Sequence, residues 1–205
     1  MQMILRESRQ TDEHDIAEVI MACHWESPVA DHELLALRWI RQFIVKEPQN
    51  CYVLEHPDTR KVVGYIVCAT DTIAYENEFE KTYFPKLKRR FDELEAQGFE
   101  YLEENRKLLL FTRIIETGID LADYPAHLHI NILPAYQRSG YGSMLLSAYE
   151  ENLRKRRVPG YHLGTAAGNT KGLSFYNKHS LDLLHTTYED GKPAISILGK
   201  RLLEV

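Results

Sequence analysis

The residues with the clearest chemical purpose lie in one run, Ile132-Leu133-Pro134-Ala135-Tyr136-Gln137-Arg138-Ser139-Gly140-Tyr141-Gly142-Ser143. An apolar stretch meets a proline, passes a glycine-containing turn and enters an amphipathic repeat. A turn of this kind at a helix start presents successive backbone N–H groups, which bind phosphate without side-chain charge. Gly140 and Gly142 remove Cβ where a ligand must approach the main chain. Arg138 adds a fixed positive charge. The run is not a P-loop, because no Gly-Lys-Ser/Thr follows at the required spacing. It is not the dinucleotide fingerprint, because the third residue after Gly142 is Leu145. Taken alone, it could also be a glycine turn that binds nothing.

Just upstream, His127, His129 and Asn131 alternate and so share one face of a strand. Imidazole titrates near ~6.5 and can accept a proton directly or through water. A satisfied structural histidine is the other reading of each. H-x-H spacing could begin a metal site, but no third ligand is identifiable, so no metal is expected. No G-x-S-x-G elbow supports a serine nucleophile, and Ser139 falls in the phosphate turn. Cys23, Cys51 and Cys68 are odd in number, widely spaced and in apolar contexts. They read as reduced core cysteines, not nucleophiles.

These groups need a scaffold, and the spacing of apolar residues predicts one. Met3 to Glu7 reads as a strand. Thr11 can cap a helix whose apolar stripe is Ile16, Val19, Ile20 and Cys23. Residues 24–28 break it, and Asp31 caps a second helix through Ile40. Cys51–Glu55 and Val62–Thr70 form a hairpin across a turn-rich segment, with Gly64 marking close packing or a bulge. Residues 73–115 form a helical insert in two pieces, Ala74–Ala96 and Glu100–Ile114. Phe79, Tyr83, Leu87 and Phe91 repeat every four residues, and Pro85 kinks or divides that helix. This aromatic face is expected to pack on the sheet; a substrate wall is the alternative. His127–Leu133 is a strand. A helix starts at Gly140–Gly142 and closes at Arg154-Lys155-Arg156-Arg157, where cations complement its dipole. Tyr161–Ala167 is the next strand, a short helix spans about Lys171–His179, and Leu181–Tyr188 with Ala194–Leu198 closes the chain as a hairpin.

The order is β-α-α-β-β, insert, β-α-β-α-β-β. It predicts an α/β (mixed α+β) domain over residues 1–205, with helices on both faces of a mixed sheet. The 205 residues are 44% hydrophobic and 27% charged, which excludes a disordered chain and lets an ordinary core form. Twenty-five basic against 30 acidic residues give a net charge of −5, so electrostatic capture of nucleic acid is not expected. No apolar run approaches the ~18 residues of a membrane span, and the N-terminus lacks a signal-peptide core. These readings point to a cytoplasmic protein; a monomer or homodimer is expected.

With these residues in view, the chain resembles the GNAT N-acetyltransferases. Gln137-x-x-Gly140-x-Gly142, preceded by Ile132-x-Pro134, is similar to the family's pyrophosphate loop. Asn169 and Phe175-Tyr176 match its later Asn and Phe-Tyr pattern, with Gly172 where alanine is usual. Val62-Val63-Gly64-Tyr65-Ile66 looks like its hairpin strand. The family fold is a twisted, mostly antiparallel sheet of about seven strands. A narrower likeness, to bacterial acetyltransferases related to the C-terminal domain of O-GlcNAcase, rests on Ala69–Thr72, Tyr124–Ile130 and Val158–Gly164.

The resemblance implies acetyl-CoA as donor and a small-molecule or protein amine as acceptor. Backbone amides of Arg138, Ser139, Gly140, Tyr141, Gly142 and Ser143 would hold the pyrophosphate. The strand at Ile132 and Leu133 would bond the pantetheine and supply an oxyanion donor, provided that the strand from Tyr161 splays away. Asn169 would contact the pantetheine or ribose. Tyr176 takes the general-acid position, and His127, then His129, is the candidate base. A pseudo-acetyltransferase that senses CoA or docks a partner is the competing function.

Overall fold

A computed structural model describes residues 2–23, 31–99 and 118–203. Seven strands form one sheet in the order β1-β2-β3-β4-β5-β7-β6. They are β1 (Ile4–Glu7), β2 (Tyr52–Glu55), β3 (Val62–Ala69), β4 (Ala126–Ile132), β5 (Gly160–Ala166), β6 (Asp182–Glu189) and β7 (Lys192–Arg201). Every pairing is antiparallel except that of β4 with β5. The mixed, mostly antiparallel sheet of seven strands is the one expected.

Helices cover both faces. On one lie α1 (Glu13–Cys23), α2 (His32–Trp39), α3 (Arg41–Lys46), α4 (Thr72–Glu78) and α5 (Phe84–Ala96). On the other lie α6 (Tyr141–Lys155) and α7 (Thr170–Lys178). The central strand β3 is buried at every position. Its alternate residues divide between the layers: Tyr65, Val67 and Ala69 join the α1–α5 core, and Ile66 and Cys68 the α6–α7 core. Gly64 combines both features read for it. The β2–β3 register shifts between Leu54 and Glu55, and a Cβ at Gly64 would lie 3.0 Å from the Ile132 side chain.

Local signals held unevenly. Asp31 caps α2 by accepting from the Leu34 N–H at 2.8 Å. Thr11 caps nothing: it sits inside a short 3-10 turn, Gln10–Asp12, and the Asp12 carboxylate takes the Arg9 N–H instead. The predicted helix 74–96 is divided by a π-helical turn at Phe79–Tyr83, and Pro85 falls in the first turn of α5, where its missing N–H costs nothing. Phe79, Tyr83, Leu87 and Phe91 are all buried in the α1–α5 core, so this face packs. The predicted helix Glu100–Ile114 lies outside the described residues. Among the described residues no helix is long and apolar enough to cross a membrane.

Candidate active site

The feature that organises the site is a gap in the sheet. β4 and β5 pair only at Ala126↔Tyr161 and His127↔His162. Beyond those residues β4 continues along β3 to Ile132↔Gly64, while β5 continues along β7 to Ala166↔Ile195. The two central strands are thus parallel neighbours that part company after two residues. The splay anticipated for Tyr161–Ala167 is present.

Main-chain polarity along this gap follows from the ladder. The Leu133 N–H donates to the Val63 carbonyl at 2.9 Å, so it faces β3. Antiparallel alternation then turns the N–H groups of Ile130 and Ile132 to the opposite edge, into the gap. Of the pair Ile132 and Leu133, Ile132 turns its N–H there, while the Leu133 N–H belongs to the sheet. Ile130 was not singled out from sequence, since a main-chain donor leaves no side-chain signal. The Ile132 carbonyl accepts from Gln137 Nε2 at 2.8 Å and from Cys23 Sγ at 3.3 Å. Gln137 therefore folds the turn back onto the strand end.

The turn after Pro134 bends through the left-handed region twice, at Arg138 (φ 62°) and Gly140 (φ 84°). Gly140 is the N-cap of α6. The first helical hydrogen bond there runs from Met144 N–H to the Gly140 carbonyl, so the N–H groups of Gly142 and Ser143 precede it and find no acceptor within the helix. A Cβ at Gly140 would meet nothing within 4 Å, so this glycine is set by its backbone angle. Gly142 has a packing reason as well. A Cβ there would lie 3.1 Å from the Phe175 ring, so glycine permits α6 to pack on α7. Replacing Gly140 by alanine should cost ~1–2 kcal/mol of left-handed strain, a fall in Tm of roughly 2–8 °C by calorimetry.

Tyr176 lies on α7, half-buried against the α6–α7 core and edge-on to Phe175 at 5.3 Å. Burial pushes its phenol up to about 12. Asn169 caps the same helix: its carbonyl accepts from Gly172 N–H at 3.0 Å, and its amide donates to Thr165 Oγ1 at 2.9 Å. A Cβ on residue 172 would reach within 2.4 Å of that amide nitrogen, which accounts for glycine at this position. Ser143 Oγ pairs with His179 Nε2 at 2.9 Å, joining the start of α6 to the end of α7.

Across the gap, on the α1–α5 face, the Tyr65 hydroxyl is a hub. It bonds His129 Nδ1 at 2.6 Å and accepts from Asn131 Nδ2 at 3.1 Å. The Trp39 ring stacks near His129, 6.2 Å between centroids. Burial holds the Tyr65 phenol well above its usual range, and Tyr176 and Cys23 are near enough for their charges to add to that shift. Burial also pushes the Cys23 thiol up to about 11, so it carries little thiolate. Sequence reading did not single out Tyr65, because it stands inside an apolar strand that reads as core.

His127 occupies a different environment from His129. It is 4% exposed, edge-on to Phe43 and Tyr75. The Thr72 hydroxyl donates to the Pro125 carbonyl, so it accepts from His127 Nδ1–H at 2.8 Å. The lone pair is then on Nε2, which is buried without a partner among the described residues. His162, its neighbour in β5, repeats the pattern by donating Nδ1–H to the Tyr124 carbonyl at 2.8 Å. Burial first, then the nearby His162, Arg38 and His129, holds His127 well below the usual histidine range.

The splayed sheet thus lies beside the glycine turn that starts α6. The sequence profile of the acetyltransferase (GNAT) family matches residues 14–180. The chain belongs to that family. Its fold is similar over the whole chain to the crystal structure of SsHAT, with 21% identity, a TM-score of 0.80 and full coverage of both chains. It is also similar to yncA from Salmonella typhimurium, solved with its cofactor acetyl-CoA (13% identity, TM-score 0.59, covering 100% of this chain and 96% of that one). A third likeness is to the NatC complex bound to Gag peptide and CoA (10% identity, TM-score 0.58, covering 99% and 100%).

Proposed function

We propose that this protein is an acetyl-CoA-dependent N-acetyltransferase that moves the acetyl group directly to a primary amine of a small molecule or protein. The observation that carries this reading is the β4–β5 gap, which ends at the Gly140 turn and has Tyr176 on one face and His129 on the other. Bound acetyl-CoA would supply the acetyl thioester. The turn from Arg138 to Ser143 would hold its diphosphate, and the free edge of β4 at Ile130 and Ile132 would pair with its amides as a strand would.

The chain's own groups then have distinct tasks. An alkylammonium has a pKa near ~10.4 and must lose a proton before its nitrogen attacks. We assign that proton to His129 ahead of His127, because His129 is only half-buried and borders the gap, while His127 is enclosed by aromatic rings. When His129 donates Nδ1–H to the Tyr65 oxygen, its Nε2 carries the lone pair that a base needs. Asn131 holds the same oxygen and so fixes the ring. The Ile130 N–H, turned toward the gap, would donate to the carbonyl oxygen on which negative charge develops. As the carbon–sulfur bond breaks, Tyr176 gives its proton to the departing thiolate.

Calorimetry with acetyl-CoA, paired with a CoA-release assay over an amine panel, tests this reading. Saturable binding with turnover is expected, and His129→Gln should keep the binding and lose most of the rate. Binding with no turnover on any amine would turn the reading toward a CoA-sensing module. Absence of binding would overturn it.

A further inference from the structure

We propose that His14, Glu18 and His32 form a binding site for a divalent transition-metal ion of the zinc class, separate from the acyl-transfer site. His14 and Glu18 are one turn apart on α1 and share a face. His32 is the first residue of α2. Its Nε2 already contacts Glu18 Oε1. The His14 and His32 rings meet edge-on, with centroids 4.5 Å apart. One donor atom from each of the three residues lies within 4.8 Å of the others. Among the described residues this is the one group of three His, Cys, Asp or Glu side chains whose donors converge in this way.

The donor set decides the ion. Two imidazoles and a carboxylate suit zinc, cobalt or nickel over calcium or magnesium, which prefer all-oxygen shells. In a tetrahedral shell with bonds near ~2.0–2.2 Å, neighbouring donors sit about 3.4 Å apart. The Glu18–His32 pair is closer than that and must open to admit an ion, and no pair has to close by more than about 1.4 Å. The Glu18 and His32 side chains are 54% and 38% exposed, so rotamer changes can supply that movement. Without metal, Glu18 and His32 hydrogen-bond each other. That hydrogen bond does not require His14, yet His14 brings a third nitrogen to the same point. Water would complete the shell.

The site is remote from the transfer chemistry. Cys23, at the other end of α1, touches the Ile132 carbonyl. It lies nine positions along the helix from His14, about 14 Å along the axis. The expected role is therefore a staple between α1 and α2, acting through stability.

The test uses the full chain stripped of metal, with zinc chloride as the probe in calorimetry and thermal denaturation. We expect one zinc per chain at this site and a Tm rise of roughly 5–10 °C at zinc a hundredfold above its Kd. His14→Ala removes a ligand but keeps the Glu18–His32 bond. It should fold with unchanged metal-free Tm and bind zinc at least ~10–100-fold more weakly. Cobalt should give the wild type, and not the variant, a visible band of tetrahedral type. An isotherm in His14→Ala matching the wild type would overturn the proposal, as would a wild type that takes up no zinc.

Discussion

Tyr176→Phe is expected to lower kcat by roughly 10²–10⁴-fold while acetyl-CoA affinity changes little, because general-acid help acts in the transition state only. The ring still fills its place beside Phe175, so the fold keeps its packing. What disappears is one proton beside the gap. With the phenol pushed up to about 12 by burial, that proton is present throughout the neutral and mildly alkaline range. The wild-type rate should therefore show no alkaline fall between pH 7 and 10 from loss of this acid. Stopped-flow or steady-state CoA release, with calorimetry for the donor, reads both quantities. A variant with unchanged kcat would reject the assigned acid role.

The second large effect is on stability against pH. His127 and His162 are each held neutral by burial, and each has its Nδ1–H fixed on a neighbour, the Thr72 hydroxyl or the Tyr124 carbonyl. A proton added to either would sit on Nε2, in a buried place without a partner. The folded pKa lies below the unfolded one, so between the two values the unfolded chain binds more protons. Stability is then fully present above pH ~6.5 and falls as pH drops below it, by up to about 1.4 kcal/mol per pH unit for each histidine. Together they should remove at most about 2 kcal/mol between pH 6.5 and 5.5, before most carboxylates begin to titrate. Urea unfolding across pH 5–8 measures the slope, and His162→Asn should reduce it. A flat profile between pH 7.5 and 5.5 would contradict the buried neutral pair.

Much of this scaffold could be read from residue order. The β2–β3 hairpin, the Asp31 cap and the strand–turn–helix at Ile132–Ser143 are written in local chemistry: β-branched runs, a capping carboxylate, a proline and two glycines. What failed were features set by tertiary partners. Thr11 looked like a cap until Asp12, held by Arg6, supplied a better acceptor. At Gly142 the sequence showed only room for a ligand and could not show the Phe175 ring, which lies 3.1 Å from where its Cβ would be. Leu133 looked equivalent to Ile132 until strand pairing fixed which N–H faced the gap. Tyr65 could not be distinguished from core, because its importance lies in a hydroxyl that meets His129, sixty-four residues away in sequence. The cluster of His14, Glu18 and His32 was equally hidden, because its third member comes from another helix.

One consequence of the parted strands concerns mechanical integrity. The sheet amounts to two ladders, β1 to β4 and β5 to β6, sewn together by a two-rung seam. So short a seam needs a tie-beam, and α6 serves as one. It lies along β2, β3 and β4 through Leu145 and Tyr149. From the same helix, the Glu150 carboxylate accepts Tyr161 Oη–H of β5 at 2.7 Å and Lys200 Nζ–H of β7 at 2.8 Å. Burial pushes that carboxyl up, but Lys200, Tyr161 and Arg154 outweigh it and keep it ionised. The helix that presents its first turn to the gap thus also bolts the two plates together behind it, so a guest wedged between the plates would press against a braced frame.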